Sequence, residues 1–530
     1  MPLMPLQPAP PNFDNSQCQN SSPKEQSISP KANRTRSNHI HGPLLHAQST
    51  YISTDSPSFN ITQHSSEAPQ NFPAPDGADI SGNHEAINNL HRRANLESAD
   101  SPSARFYTTS LQIYVTTAID FLYPSEMTSR SFSYFLDEVD SPAISAFDYL
   151  NWKRIKLHIV QLASQDESIA TAIVAVQSIY RAQVNRLAMF HATSEYQASL
   201  ARLEDMIANE GIGFDTIIVV SFLLCLCEVI LPNEDGPALR AFSLAFEARL
   251  SVWLMNANRS PVSLRICAWL QLLHVATKRS GCCGLIPETV FDLLSSYITE
   301  LSNLPPLGNT PDSTSAMYDI ISAPIFAFYL DLQKISNRIQ DLSHYRRSRI
   351  TPEDQEEVTE IVTSLKDTLL TLWRARPSPL QFQPDQLRGN FSPMIAEPLI
   401  SLVGVCTAAY FGEMVGLRRT LGDDPFPSPE SLQPMSRIRD LIEGEWNASS
   451  KGALNPGYIR PLFLYAIENL RQDETEWAVT RLREVQSPIS RSEFIATLGE
   501  ALGREQRTEK RRVATKYFCN GAFNVMVPRM

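Results

Sequence analysis

The chain is 530 residues long, with a mass of 59.3 kDa, 57 acidic against 46 basic side chains and a net charge of −11. That length supports two to four domains at roughly 100–200 residues each, and that charge excludes a molecule that binds nucleic acid over its whole surface. Glycine, at 20 residues, falls below the ordinary ~7%, which disfavours folds built on glycine-rich phosphate loops and tight hairpins.

The first residues, MPLMPLQPAPPNF, have no basic leader and place prolines where a signal peptide needs an apolar helix, so secretion is not expected. Residues 1–104 hold 13 of the 37 prolines, are dense in Ser, Asn, Gln and His, and scatter their apolar residues singly. Such a segment buries too little apolar area to offset an ordering entropy of roughly 1–2 kcal/mol per residue, and a disordered arm is expected. Residues 105–530 change composition, and helical periodicity takes over.

Ser164 with Glu167 makes a capping box before an apolar run. Behind it Ile169, Ile173, Val176, Tyr180, Val184 and Leu187 recur every three or four positions on one helix face. Residues 216–231 (TIIVVSFLLCLCEVIL) form the most apolar stretch. It is shorter than the ~20 residues a bilayer span needs and carries Glu228, so it reads as a buried helix. Glu228 itself is expected to meet an Arg or a backbone donor, or else a ligand. Trp253, Trp269 and Trp373 read as core residues that can also line an apolar pocket. Proline-rich breaks at residues 304–311 and 423–434 read as loops. Between them Thr351-Pro352-Glu353-Asp354 opens a helix, with Thr as cap, Pro in the first turn and acids at the positive dipole end. Its stripe is Val358, Ile361, Val362, Leu365, Leu369 and Leu372. Residues 461–477 read as core through Leu462, Phe463, Ala466, Ile467 and Leu470. A last helix starts at Ser490, boxed with Glu493, and presents Phe494, Leu498 and Leu502. Strict two-residue alternation is hard to find anywhere. The fold class is therefore all-α, a large multi-helix array or bundle.

The chemistry-bearing residues do not assemble into a motif. The eight cysteines, Cys18, Cys225, Cys227, Cys267, Cys282, Cys283, Cys406 and Cys519, show no framework spacing, which favours a reducing compartment. Cys225 and Cys227 point roughly 200° apart on a helix and cannot share a metal. Cys282-Cys283 between Gly281 and Gly284 marks a turn, and no neighbour there lowers a thiol pKa. His39 and His41 lie in the arm. His158, His191, His274 and His344 are single, and each reads as a surface or satisfied core histidine. Asp423-Asp424 is followed by Pro425 in a loop and lacks the second acidic cluster that a helical isoprenoid cyclase needs. There is no four-ligand zinc set, no G-x-S-x-G elbow, no phosphate loop and no H-E-x-x-H. No catalytic, cofactor-binding, metal or DNA-binding residue is expected, and the chain does not read as an enzyme. The one charged motif is the basic run REQRTEKRR at residues 504–512. Arg504, Arg507, Lys510, Arg511 and Arg512 in it read either as a nuclear import patch or as a solvated helix face.

The order of the helical segments carries a resemblance. It begins at SYFLDEVDSPAISAF, continues through SIATAIVAVQSIYRAQV, YQASL, VVSFLLCLCEVIL and AFSLAFEARLSVW, and goes on to LKDTLLTLWRARP and PLISLVGVCTAAYFGEMVGLRR. Its best-matching piece is IRPLFLYA at residues 459–466, with Arg471 and Trp477 following. Together, over about residues 106–530, these segments resemble the fungal-specific transcription factor domain, the helical regulatory region that follows a zinc binuclear cluster in fungal regulators. Regulators of that kind normally carry six cysteines ahead of the helical region, whereas residues 1–133 contain only Cys18. The resemblance therefore implies a nuclear transcription regulator or co-regulator, tied to a metabolic gene cluster, that lacks its own DNA-reading module. It would act through partner regulators or coactivators, a homodimer contact, or a small-molecule effector, with no membrane. The alternative is a cytosolic all-α protein that binds a lipophilic ligand or acts on one.

Overall fold

The computed structural model describes residues 132–527 apart from 232–238, 240, 282–283, 298–312, 346–350, 421–427, 449–452, 486 and 488. The expected arm, the break at 304–311, Cys18, His39, His41, Cys282, Cys283 and the Asp423-Asp424 pair lie outside the described residues. Within them the protein is all-α, with seventeen α-helices and no strand among the described residues. In chain order these are α1 (Ser133–Asp137), α2 (Pro142–Ala163), α3 (Glu167–Val184), α4 (Phe190–Ala208), α5 (Phe214–Ile230), α6 (Leu244–Leu254), α7 (Pro261–Lys278), α8 (Glu288–Tyr297) and α9 (Ser313–Tyr345). Then follow α10 (Pro352–Arg374), α11 (Pro384–Asn390), α12 (Pro393–Thr420), α13 (Pro429–Ala448), α14 (Ile459–Glu468), α15 (Gln472–Arg483), α16 (Ser492–Glu509) and α17 (Thr515–Phe523).

The helix ends show which local signals decided the boundaries. At α10 the expected Thr351 cap is present and is part of a full capping box: the Thr351 hydroxyl accepts from the Asp354 N–H at 3.1 Å, and the Asp354 carboxylate accepts from the Thr351 N–H at 3.2 Å. At α3 the cap is Asp166 instead of Ser164. Its carboxylate accepts from the Ser168 N–H at 2.8 Å, while the Ser164 hydroxyl turns back to donate to the Gln161 carbonyl and closes α2. An ionised acceptor beside the positive helix end outcompetes a hydroxyl two residues earlier. The far end of α3 differs too. Arg186 adopts a left-handed φ of 54°, Leu187 N–H bonds the Ala182 carbonyl at 2.8 Å, and this Schellman closure leaves Val184 and Leu187 exposed while Ile169, Ile173, Val176 and Tyr180 are buried. The last expected box fails in the same way. Helix α16 starts two residues after Ser490, behind a left-handed Arg491, and the Ser490 hydroxyl donates to the Ser487 carbonyl. The expected loop at 423–434 is helical from Pro429 onward, with Pro434 inside α13. A proline there gives up one helix hydrogen bond, and Pro434 is itself buried.

Packing runs as a relay. Helices α3, α4 and α5 form one group, α5 leans on α7, α7 on α9, α9 on α12, α12 on α13 and α14, and α14 on α15 and α16. Helix α5 is buried on every side, as its uniform apolarity requires. Helix α2 is kinked at Asp148, where φ is −131° and ψ is 40°, and its contacts reach α3, α7, α12 and the 3-10 turn Pro456–Tyr458. Among the described residues α12 is long and apolar enough to cross a membrane. In this fold it is the helix that α9, α10, α11, α13 and α14 pack around.

Candidate functional site

Where α7, α9, α12 and α14 meet, three charged side chains leave water together. Glu413, on α12, is 1% exposed, Arg279, just past the end of α7, is 7% exposed, and Arg460, in the first turn of α14, is 12% exposed. Arg460 grips the carboxylate with two bonds, Nε to Oε1 at 2.9 Å and Nη2 to Oε2 at 3.1 Å. Arg279 Nη2 reaches Oε1 at 3.3 Å, and the Ser336 hydroxyl donates to the same oxygen at 2.8 Å. Arg279 also donates through Nε to Ser336 at 3.2 Å and through Nη2 to Gln333 Oε1. Burial pushes the Glu413 carboxyl up, yet the two guanidinium groups outweigh it and hold the group below its ordinary value. Arg279 is pushed down by burial and by repulsion from Arg460.

The sequence supplies this arrangement locally. Gly412 and Gly416 lie four apart on α12 and face α14. A Cβ on Gly412 would meet Pro461 at 3.6 Å, and one on Gly416 would meet Arg460 Nη2 at 3.3 Å. Two small residues thus let the start of α14 approach closely enough for Arg460 to reach Glu413.

Beside the triad is a cavity of about 110 Å³. Its apolar wall includes Phe147, Leu272, Leu273, Ala276, Ala409 and Ile459, and its polar side holds Arg279, Glu413, Arg460, Gln333 and Ser141. Gln333 and Ser141 are each 2% exposed, and the Gln333 Nε2 and Ser141 Oγ atoms have no hydrogen-bond partner. Native interiors leave few such atoms unpaired.

The residues nominated by the sequence fall elsewhere. Glu228 is buried in α5, where its carboxylate accepts from the Tyr196 hydroxyl of α4. Cys225 and Cys227 are buried, and burial pushes both thiols up. His274 is buried, stacks on Phe291 at 4.7 Å and accepts from the Ile286 N–H at 3.3 Å, with Nε2 3.2 Å from the Glu288 carboxylate. His158 is half-buried and pushed down by desolvation, and His191 is exposed. Trp269 is fully buried against Trp152 and Phe222, Trp253 is buried against Phe214, and Trp373 is half-buried and stacked on Tyr410 at 4.2 Å. None of the three lines the cavity. Among the described residues no group of three His, Cys, Asp or Glu could hold a metal ion.

The basic run does not form one exposed patch. Arg504, Lys510 and Arg511 are exposed, Arg504 pairing with Glu500 at 3.2 Å and Arg511 with Glu509 at 3.4 Å. Arg507 is half-buried and donates to the Thr475 hydroxyl at 2.9 Å. The Arg512 side chain is buried against Glu468, which Arg419 holds from the other side at 2.6 Å.

No family model, no curated protein and no solved structure matches the chain. The triad and its cavity went unnoticed in the sequence because each member looked ordinary. The one available signal was Glu413 itself, a carboxylate inside the apolar run LVGVCTAAYFGEMVGL and flanked by small residues.

Proposed function

We propose that the chain is a nuclear transcription regulator or co-regulator that acts through its helical body, recruiting partner regulators or coactivators, instead of reading a DNA sequence or catalysing a reaction. The observation that carries this reading is where the family-like segments lie. PLISLVGVCTAAYFGEMVGLRR, one of the segments that carry the resemblance, and IRPLFLYA, its best-matching piece, supply α12 and α14, the two helices that bring Glu413 and Arg460 together beside the cavity. A regulatory domain needs a stable body, and a buried charged cluster beside a cavity between two of these segments supports that reading. The net charge of −11 agrees with contacts to protein in preference to phosphate.

The cavity's apolar wall also favours a second reading, a cytosolic all-α binder of a lipophilic small molecule. Two measurements separate them. Tethered to a foreign DNA-binding domain, the chain should change reporter output, and the purified chain should bind promoter fragments only weakly, with salt-sensitive and sequence-blind affinity. An unchanged reporter and an exclusively cytoplasmic protein would favour the second reading. Nanomolar binding of one promoter sequence by the chain alone would sink the claim that it does not read DNA.

A further inference from the structure

The cavity beside the triad offers a ligand two neutral donors and a mostly apolar wall. Its charged members are engaged with one another and with neighbours: Arg460 holds both oxygens of Glu413, and Arg279 donates to Glu413, Ser336 and Gln333. A guanidinium can only donate, so it must meet the amide oxygen of Gln333, and that leaves Nε2 as the end without a hydrogen-bond partner. Ser141 supplies the second donor. It stands at the N-cap of α2, yet its hydroxyl makes no cap bond, the Ile144 and Ser145 N–H groups going instead to the Ser141 carbonyl at 2.8 Å, and Oγ is unpartnered. Both residues are 2% exposed, a depth at which polar groups are almost always paired. The Thr277 and Ser490 hydroxyls, which line the same cavity, follow that rule by donating to the His274 and Ser487 carbonyls.

We propose that this cavity is the binding site for a small neutral carbonyl compound, a ketone or ester with a short hydrocarbon body, whose oxygen accepts from Gln333 Nε2 and Ser141 Oγ while its carbons lie against Leu272, Leu273, Ala276 and Ala409. A carbonyl oxygen has two lone pairs and no proton, so it answers two donors and brings no donor of its own to be buried. A plain hydrocarbon would leave both donors without partners. An anion would be buried with the Glu413 carboxylate as a neighbour and a cation with two guanidinium groups, so a charged ligand of either sign meets a like charge. Water can serve the two donors, but the apolar wall gives further waters nothing to bond. The size also fits. An engineered apolar cavity of about 150 Å³ holds benzene, so 110 Å³ suits a molecule of about four to six heavy atoms. The proposal rests on the regulatory reading only for its meaning, as the effector site of the regulator. Binding itself can be tested on the purified chain.

The probe is cyclopentanone, compared by calorimetry on the full chain with cyclopentene, a ring of the same size without the oxygen, and with sodium isobutyrate. The ketone should bind one per chain, at least about tenfold more tightly than either comparison compound, because it alone satisfies both donors without burying a charge. At ten times its Kd the thermal midpoint should rise by about 1 °C or more. Ser141→Ala removes a hydroxyl that has no partner, so the midpoint of the free chain should not fall, while ketone binding should weaken about five- to tenfold. Ala276→Leu fills the cavity and keeps every polar group, so it should abolish binding; should that variant fail to fold, Ser141→Ala decides. Equal binding of cyclopentanone and cyclopentene, preference for isobutyrate, no binding by the folded chain, or ketone binding untouched by Ser141→Ala would each overturn the proposal. Ketone binding by a chain that leaves the tethered reporter unchanged would support the site and overturn only the regulatory reading. Reporter activity without ketone binding would do the reverse.

Discussion

Lys156 on α2 is buried, yet its ammonium has work to do there. It donates to the Leu136 carbonyl and, at 2.9 Å, to the Val139 carbonyl, closing the end of α1. Burial pushes its pKa down to about 8, against the opposing pull of Asp140 and Asp137. The unfolded chain therefore binds more protons than the folded one between about pH 8 and the ordinary lysine value, and stability from this group rises with pH across that window. Between pH 8 and pH 10 the wild type should gain about 2 kcal/mol relative to Lys156→Met, read from denaturant unfolding at each pH. A difference that stays flat would place the ammonium in water. The basic run offers a second test at this scale. Glu468→Ala removes the buried carboxylate that Arg419 and Arg512 share and should cost about 3–5 kcal/mol. Arg512→Ala leaves Glu468 still neutralised by Arg419 and should cost about 1–3 kcal/mol. Alanine at Arg504, Lys510 or Arg511 should each change stability by about 0.5 kcal/mol or less. If the run serves nuclear import, as the proposed regulatory role requires of some segment, the activity rests on those three, and their combined alanine variant should stay folded while any nuclear accumulation is lost. From sequence the five basic residues look alike, because charge pattern records what a side chain carries and not which carboxylate it will meet.

Helix α14 shows what a stripe can and cannot predict. Leu462, Phe463, Ala466 and Ile467 are buried as their spacing demands, whereas Leu470 lies beyond the helix end and is exposed. Phe463 faces α16, where a Cβ built on Gly499 would sit 3.6 Å from its ring. The glycine therefore shapes the seat that the ring fills. Phe463→Ala should cost about 3–5 kcal/mol, through lost burial and a cavity that α16 cannot close. A loss below about 1 kcal/mol, by urea unfolding, would mean that the ring is not packed as described. The turn before this helix is equally constrained, since a Cβ on Gly457 would come within 2.3 Å of Val405. Element type was legible in the sequence because apolar period survives any choice of partner helix. Ends were less so. Thr351 holds its cap, but Ser164 loses to Asp166 and Ser490 loses to a left-handed turn at Arg491, and both contests depend on chain geometry that composition does not encode.

At the scale of the molecule the question is whether the seventeen helices of the described residues act as one unit. No periodicity says that Asp148 will accept from Arg265 at 2.8 Å and from the Trp269 indole at 3.0 Å, across 117 and 121 residues of chain. Yet those bonds, with Arg154 to Asp319 at 2.8 Å and Asn455 Nδ2 to the Ala146 carbonyl at 3.2 Å, let α2 tie α7, α9 and the turn before α14 into one frame. The apolar side chains form a single cluster that draws on almost every helix from α1 to α17. Chains of this length often unfold through intermediates, and a relay of helices invites separate melting of its two ends. The frame made by α2 argues against it, because freeing α3–α5 from the rest would expose the Trp152, Phe222 and Trp269 cluster that belongs to α2, α5 and α7 together. Calorimetry should therefore show one transition for the helical body, with equal calorimetric and van't Hoff enthalpies. Ile173→Ala in α3 and Phe463→Ala in α14 sit in opposite parts of the relay, and each should lower that same single midpoint. If Ile173→Ala split the curve into two peaks, with only the first moved, α3–α5 would be a separate folding unit and α2 a linker between two bodies.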